Sequence, residues 1–211
     1  MRLTEIYKSI QGESTFAGLP CVFVRTTGCS LRCRWCDTSY AFEGGSEQSV
    51  EQVLEQIKAQ HCSLVEFTGG EPLEQDDCVS IMEACLAEGF RVLLETSGAV
   101  SIQKVPQAVH IIMDIKCPDS NMSQRNLYEN FRFLKSSDEV KFVVASEADF
   151  YWAEALIAEH SLDEKCQILI SPAFALMKNE LLAALVCASK RKLRMQLQLH
   201  KYIWHPRAKG V

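Results

Sequence analysis

Cys29, Cys33 and Cys36 stand four and three residues apart in C-S-L-R-C-R-W-C. Thiolates at this spacing are soft ligands, suited to iron–sulfur clusters and to zinc. An iron–sulfur cluster commonly takes four cysteines, and a structural zinc site is commonly closed by four ligands. Here no neighbouring side chain supplies a fourth. Three thiolates on a four-iron cluster would leave one iron open to bind a substrate or cofactor directly. A closed cluster or zinc site completed from elsewhere, with His61 the nearest histidine, and three cysteines that only pack, are the other readings of the spacing. A second run, F-T-G-G-E-P over Phe67–Pro72, follows an apolar stretch. Gly69 and Gly70 permit close backbone approach, and Pro72 fixes the exit direction.

The chain must bring these two runs together. Cys21–Arg25, Leu64–Phe67, Phe90–Leu94, Val109–Ile115, Val140–Val144, Gln167–Ile170 and Leu193–Leu199 read as strands, apolar and often β-branched as strands covered on both faces are. Helices are expected over Val50–Gln60, Asp76–Glu88, Ser123–Lys135, Ala148–Glu159 and Leu176–Ala188. Ser49 and Gln52 form a capping-box pattern at the first, and Leu127, Phe131 and Leu134 give the third an apolar stripe. This alternation predicts an α/β fold with a mainly parallel sheet. At 211 residues the chain is short for eight strand–helix units, so an incomplete, modified TIM-like barrel is expected, one domain over 1–211 with a cysteine loop at 28–38. Polar residues gather where predicted strands end, as ligand sites do in such folds: Thr68–Glu71, Glu95–Ser97, Lys116, Ser146, Ser171 and His200.

Composition narrows the classes. Ten cysteines would suit a secreted disulfide scaffold, but no leader pattern precedes them, and Cys62, Cys78, Cys85, Cys166 and Cys187 lie singly in or beside apolar segments. A cytoplasmic chain is expected. No run of about 20 apolar residues suggests a membrane span. A net charge of −5 argues against direct nucleic-acid binding, although residues 190–209 carry seven Lys or Arg and no Asp or Glu.

The two runs resemble the radical S-adenosylmethionine superfamily, with Trp35 at the aromatic position of its cysteine motif. Ser9–Phe16, Phe23-Val24-Arg25, Cys36-Asp37-Thr38 and Gln198-Leu199-His200-Lys201 narrow the resemblance to the 7-carboxy-7-deazaguanine synthase family, over almost the whole chain. The resemblance implies a homodimer that uses a [4Fe–4S] cluster, S-adenosylmethionine and Mg²⁺. It implies an external reductant such as flavodoxin or ferredoxin. The implied reaction contracts 6-carboxy-5,6,7,8-tetrahydropterin to 7-carboxy-7-deazaguanine with loss of ammonia, a step towards queuosine.

By the same resemblance Cys29, Cys33 and Cys36 hold the cluster. Trp35, Gly69, Gly70, Glu71, Thr96, Ser97, Lys116 and Ser146 serve S-adenosylmethionine, with Glu71 either a ligand or a brace for its loop. Gln11, Glu13, Arg25 and His200 bind substrate, Arg25 at its carboxylate, and Thr38 meets Mg²⁺ beside that carboxylate and water. Two features depart from the pattern. Ser14 stands where many relatives have glycine, and the tail beyond His200 runs through Trp204, His205, Pro206 and Arg207 to Val211, with Arg207 or Trp204 expected near the site. An activase acting on a partner protein and a non-catalytic metal-binding scaffold are the competing functions.

Overall fold

A computed structural model describes residues 1–211. The sheet has nine strands: β1 (Arg2–Ile10), β2 (Pro20–Thr26), β3 (Ser46–Glu47), β4 (Leu64–Gly69), β5 (Arg91–Thr96), β6 (His110–Ile115), β7 (Glu139–Val144), β8 (Gln167–Pro172) and β9 (Leu193–Met195). Their spatial order is β3-β1-β2-β4-β5-β6-β7-β8-β9, so the sheet ends at β3 and β9 and does not close. From β2 to β9 every pairing is parallel, while β1 runs antiparallel to β2 and to β3. All seven strands expected from the sequence lie in the parallel set. The incomplete barrel is the fold observed.

The helices are α1 (Val50–Ala59), α2 (Cys78–Ala87), α3 (Glu147–His160), α4 (Leu162–Lys165), α5 (Asn179–Ala188) and α6 (His200–Ile203). Ser49 and Gln52 make the reciprocal capping box at α1. Its buried Val53 and Ile57 join a core of 36 residues that also takes Val22 and Val24 of β2, Val65 and Phe67 of β4, and Ile81 and Met82 of α2.

The other face of the strands is graded along its length. Cys21, Phe23, Leu64, Leu93 and Ile112 form a second apolar cluster around Phe16. Two residues further along the same faces stand Arg25, Glu66, Glu95 and Asp114, which line a cavity. The loop between β1 and β2 rises into this interior. Its base is closed by Gln11 N–H on Leu19 O (2.8 Å) and Gly18 N–H on Gln11 O (2.8 Å). Thr15 donates through its backbone N–H (3.0 Å) and its hydroxyl to Glu139. Phe16 thus plugs the interior and presents Gln11–Glu13 as the cavity floor.

Three expectations change. Ser123–Lys135 is not an α-helix but 3₁₀ turns at Ser123–Arg125 and Tyr128–Phe133. Two asparagines hold it in that form. Asn126 pairs in both directions with the Lys116 backbone (2.9 Å each). The fully buried Asn130 accepts from Ile102 N–H (3.1 Å) and donates to Gly98 O (3.2 Å) and Val100 O (2.8 Å). Such side-chain bonds compete with a helical ladder. The final strand is shorter than expected and ends at Met195: Gln196 N–H still bonds to Ile170 O (3.0 Å), and the chain then turns to the β1–β2 loop, where Leu199 N–H donates to Gly12 O (2.9 Å) and the Gln196 side chain accepts from Ser14 N–H (2.7 Å). Helix α5 starts at Asn179 rather than Leu176, the intervening residues being bonded in a turn to Ala173.

Replacing Asn130 with Ala should lower unfolding free energy by about 2–4 kcal/mol, since it leaves three backbone groups without that partner. Urea titration of both proteins at one pH measures the difference.

Candidate functional site

The cysteine loop and the glycine loop meet through main chain. Gly70 N–H donates to Thr26 O (3.0 Å) at the end of β2, and Glu71 N–H donates to Gly28 O (2.8 Å), one residue before Cys29. A Cβ on residue 70 would lie 1.7 Å from Gly28 O, and Gly69 holds φ at +123°. Glycine is required at both positions. The Glu71 carboxylate is fully buried and accepts from Leu73 N–H (3.1 Å), Thr96 Oγ1–H (2.8 Å), Ser97 N–H (2.7 Å) and Ser97 Oγ–H. Burial raises its pKa, against the pull of those bonds.

A cavity of about 270 Å³ opens beside this junction. Cys29, Cys33, Trp35, Cys36 and Thr38 line one wall; Gly69, Gly70, Thr96, Ser97 and Lys116 line another; Gln11, Glu13, Arg25 and His200 complete it. Fourteen of the sixteen residues singled out from sequence therefore share one cavity. Glu71 does not reach it and braces the loop from behind. Ser146 does not reach it either. Its hydroxyl caps α3 by accepting from Asp149 N–H (3.2 Å) and donates to Asp119 (2.6 Å). His200 begins α6, five residues beyond the end of β9. The tail reaches the cavity through His205, Pro206 and Ala208–Val211, not through Trp204 or Arg207.

All ten cysteines are free. Burial pushes the Cys29 thiol up to about 11 and raises those of Cys33 and Cys36. No three His, Cys, Asp or Glu side chains converge on a point where one ion would sit. A multi-iron cluster makes no such demand, because each thiolate binds a different iron. Three thiols on one loop at the cavity wall fit that group, and metal binding would displace their protons. The Thr38 hydroxyl donates to Asp37 (3.0 Å), whose carboxylate also pairs with Lys201 (2.6 Å). Burial works to raise the Asp37 pKa, but the charge and hydrogen bond of Lys201, together with the Thr38 hydroxyl, hold it low. Two adjacent oxygen donors at the wall can serve a cation that keeps most of its water.

The floor is an ion network. Lys141 bonds to Glu13 (2.8 Å) and Glu95 and lies 3.5 Å from Asp114. Asp114 also pairs with Lys116 (3.0 Å). Burial works against both charges of the Lys141–Glu13 pair, yet their attraction wins, raising the lysine and lowering the glutamate. Gln198 donates to Glu13 (2.8 Å). Gln11 accepts from Glu13 N–H (3.0 Å) and donates to Glu66. Burial, then the charge of Glu95, pushes Glu66 well above the carboxylate range.

Sequence reasoning passed over Glu66, Asp114 and Lys141. The signal was there: each is a charged residue inside an otherwise apolar strand, two residues along from an interior-facing neighbour, where period-2 alternation turns it inward.

Residues 23–144 match the Radical SAM superfamily. The 7-carboxy-7-deazaguanine synthase of Chlorobaculum tepidum is 44% identical over 100% of this chain and 97% of its own. That of Koribacter versatilis is 42% identical over the whole of both chains, and that of Methanospirillum hungatei 38% over 98% of this chain and 86% of its own. The crystal structure of QueE from Escherichia coli superposes with a TM-score of 0.77 at 23% identity, covering 94% of each chain. At that identity the likeness is one of fold.

Two outcomes follow from this geometry. Gly70→Ala should lose about 2 kcal/mol or more of stability and take up less iron on reconstitution, read by urea titration and iron analysis. Glu66 binds its proton more tightly folded than unfolded, so its contribution to stability is complete below about pH 4.3 and is lost as pH rises through the folded value. Glu66→Gln should therefore gain stability relative to the parent as pH rises from about 5 to about 8, seen in urea midpoints across that range.

Proposed function

The chain belongs to the 7-carboxy-7-deazaguanine synthase family of the Radical SAM superfamily, and from that premise we propose that the cavity is its active site, with each lining residue in the role set out below. The enzyme is a lyase that contracts a pterin precursor, 6-carboxy-5,6,7,8-tetrahydropterin, to 7-carboxy-7-deazaguanine with loss of ammonia, in queuosine biosynthesis. The activase and scaffold readings give way to this family membership.

The observation that carries the site assignment is the junction at Gly28 and Gly70, which sets three thiols and a glycine-lined wall against one cavity. Cys29, Cys33 and Cys36 hold the [4Fe–4S] cluster. Trp35, Gly69, Gly70, Thr96, Ser97 and Lys116 receive S-adenosylmethionine, Lys116 offering its charge to the carboxylate. Glu71 acts at second hand by holding Thr96 and Ser97 in place, and Ser146 by fixing the start of α3 beside Asp119. Bound together, cluster and cofactor supply the radical chemistry that protein side chains lack.

The chain's own part is to position the pterin and exclude water. A pterin offers an amide-like edge and a guanidine-like edge. Glu13, kept ionised by Lys141, accepts from ring N–H groups, and the Gln11 amide supports it. Arg25 meets the substrate carboxylate. His200, its pKa lowered by burial, faces the ring as a neutral donor or acceptor. Thr38 and Asp37 lie where Mg²⁺, water and that carboxylate would meet. We take residues 1–211 as one domain, a reading supported by one sheet that runs from Arg2 to Met195. An external reductant serves the cluster. A homodimer is supported by the exposed apolar side chains of Phe174, Leu176, Leu197 and Tyr202, which line one surface depression. No helix is long and apolar enough to cross a membrane.

Anaerobically reconstituted protein with reductant, S-adenosylmethionine, Mg²⁺ and the carboxypterin should release 7-carboxy-7-deazaguanine and ammonia in equal amounts. Cys33→Ala should abolish turnover. Arg25→Lys should lower kcat/KM about 10- to 100-fold, as expected for losing a two-pronged, charge-assisted contact. Turnover by Arg25→Lys at the parental rate and KM would remove Arg25 from the site.

A further inference from the structure

The guanidinium of Arg25 is held on one side by residues of β1 whose orientation depends on an irregularity in that strand. Leu3 pairs with Thr26, but Glu5 pairs with Arg25, so β1 spends two residues where β2 spends one. Thr4 is the extra residue of a β-bulge. Bulges break the strict alternation of side chains and re-aim those that follow. Leu3 and Ile6 both pack on the outer core. With regular alternation Glu5 would join Leu3 on that side. Because Thr4 intervenes, Glu5 and Tyr7 both turn to Arg25. Thr4 is itself fixed by a hydroxyl contact with Thr27 (2.7 Å).

There Glu5 Oε1 accepts two hydrogen bonds, from Arg25 Nε–H (2.8 Å) and from the Tyr40 hydroxyl (2.7 Å). Tyr7 OH accepts from Arg25 Nη2–H (2.8 Å). The guanidinium carbon lies 5.9 Å from the ring centres of both Tyr7 and Tyr40. A guanidinium has five N–H donors in a rigid fork. Glu5 takes the Nε hydrogen and Tyr7 one on Nη2, which leaves both Nη1 hydrogens and the second on Nη2 for a planar anion. Tyr40 lies four residues past Cys36, so one carboxylate oxygen joins the anion-binding arginine to the end of the cysteine loop. Neither Glu5 nor Tyr40 is explained by core packing. Glu5 keeps 22% of its side chain exposed while holding this geometry.

We propose that Glu5 is a positioning residue: it fixes Arg25 by the Nε edge so that the Nη edge meets the substrate carboxylate, and through Tyr40 it sets the cysteine loop at a constant spacing from that anion. This rests on the reading that Arg25 binds the substrate carboxylate. The opposing possibility is physical and has the opposite sign. Glu5 could merely neutralise Arg25 and compete with the substrate, in which case removing it would strengthen binding.

The test uses the full-length, anaerobically reconstituted enzyme carrying Glu5→Ala, Glu5→Gln or Tyr40→Phe. Iron and sulfide content, S-adenosylmethionine affinity, and kcat and KM for the carboxypterin are measured, together with equilibrium binding of fluorescent 6-carboxypterin. Glu5→Ala should weaken 6-carboxypterin binding and raise KM about tenfold, with cluster content and S-adenosylmethionine affinity unchanged. Glu5→Gln, which keeps the acceptor oxygen, should recover most of the loss. Tyr40→Phe should leave binding near parental and lower kcat. Unchanged or tighter pterin binding in Glu5→Ala overturns the assignment. So does a parallel loss of iron, cofactor affinity and pterin binding, which would mark Glu5 as a general structural residue. If Arg25→Lys weakens pterin binding while Glu5→Ala does not, only the role of Glu5 falls. If neither changes it, the reading of Arg25 falls with it.

Discussion

The backbone contact between Gly28 and Gly70 is the constraint from which the rest of the site takes its position. It joins loops from the ends of β2 and β4, and it does so without side chains at the point of closest approach. Side chains hold the contact from behind. The buried Glu71 carboxylate draws the end of β5 to the same place by accepting from Thr96 and Ser97. Three strand ends are thereby locked together by main-chain geometry and one carboxylate. A buried carboxylate without partners would be expensive, but this one has four donors. The start of the cysteine loop is thereby fixed by main-chain bonds to the glycine loop and not by its own side chains.

The floor shows a second use of burial. Lys141 and its three carboxylate neighbours come from the β1–β2 loop, β5, β6 and β7. Removing any one partner would strand the others in a poor dielectric, so the network specifies how these elements fit together more than it adds net stability. Its functional consequence is a fixed pattern of charge. The attraction of Lys141 favours the ionised form of Glu13, whereas burial and the charge of Glu95 favour the protonated form of Glu66 on the same floor. The same chemical group thus presents an acceptor at one point and a potential donor at another. A heterocycle whose edges alternate donors and acceptors requires that kind of differentiated surface.

Much of this was legible in the residues because two strong periodicities coincide with function. Apolar runs located all seven parallel strands, and motif spacing located the cysteines and the glycine loop. What escaped did so for identifiable reasons. Strand β1 is amphipathic and antiparallel, so R-L-T-E-I-Y-K-S-I lacks the continuous apolar run of its neighbours. The segment around Leu127, Phe131 and Leu134 has helical spacing, but Asn126 and Asn130 hold their backbone partners too well for a helix to form. Ser146 sits at a strand end like the true cavity residues, yet the start of α3 claims its hydroxyl. Strand-end polarity alone does not distinguish a cap from a ligand.

The remaining deviations lie where local rules are broken, and they cluster around the cavity. Ser14 adopts φ of 64°, a left-handed conformation that costs a non-glycine residue about 1–2 kcal/mol. Its own hydroxyl accepts from Phe16 N–H (3.0 Å), and its N–H donates to Gln196 (2.7 Å). Those two bonds offset the strain and set the turn that carries Glu13 upward and Phe16 down. Thr4 does comparable work in β1 by inserting one residue and reversing the faces that follow. One deviation shapes the floor and the other shapes the wall beside Arg25. Regular alternation along β1 would place Glu5 outside with Leu3, and a positive φ at 14 would favour glycine there. That both local rules are broken next to the same cavity is what a fold produces when the geometry of a site, rather than the regularity of its elements, has been held fixed.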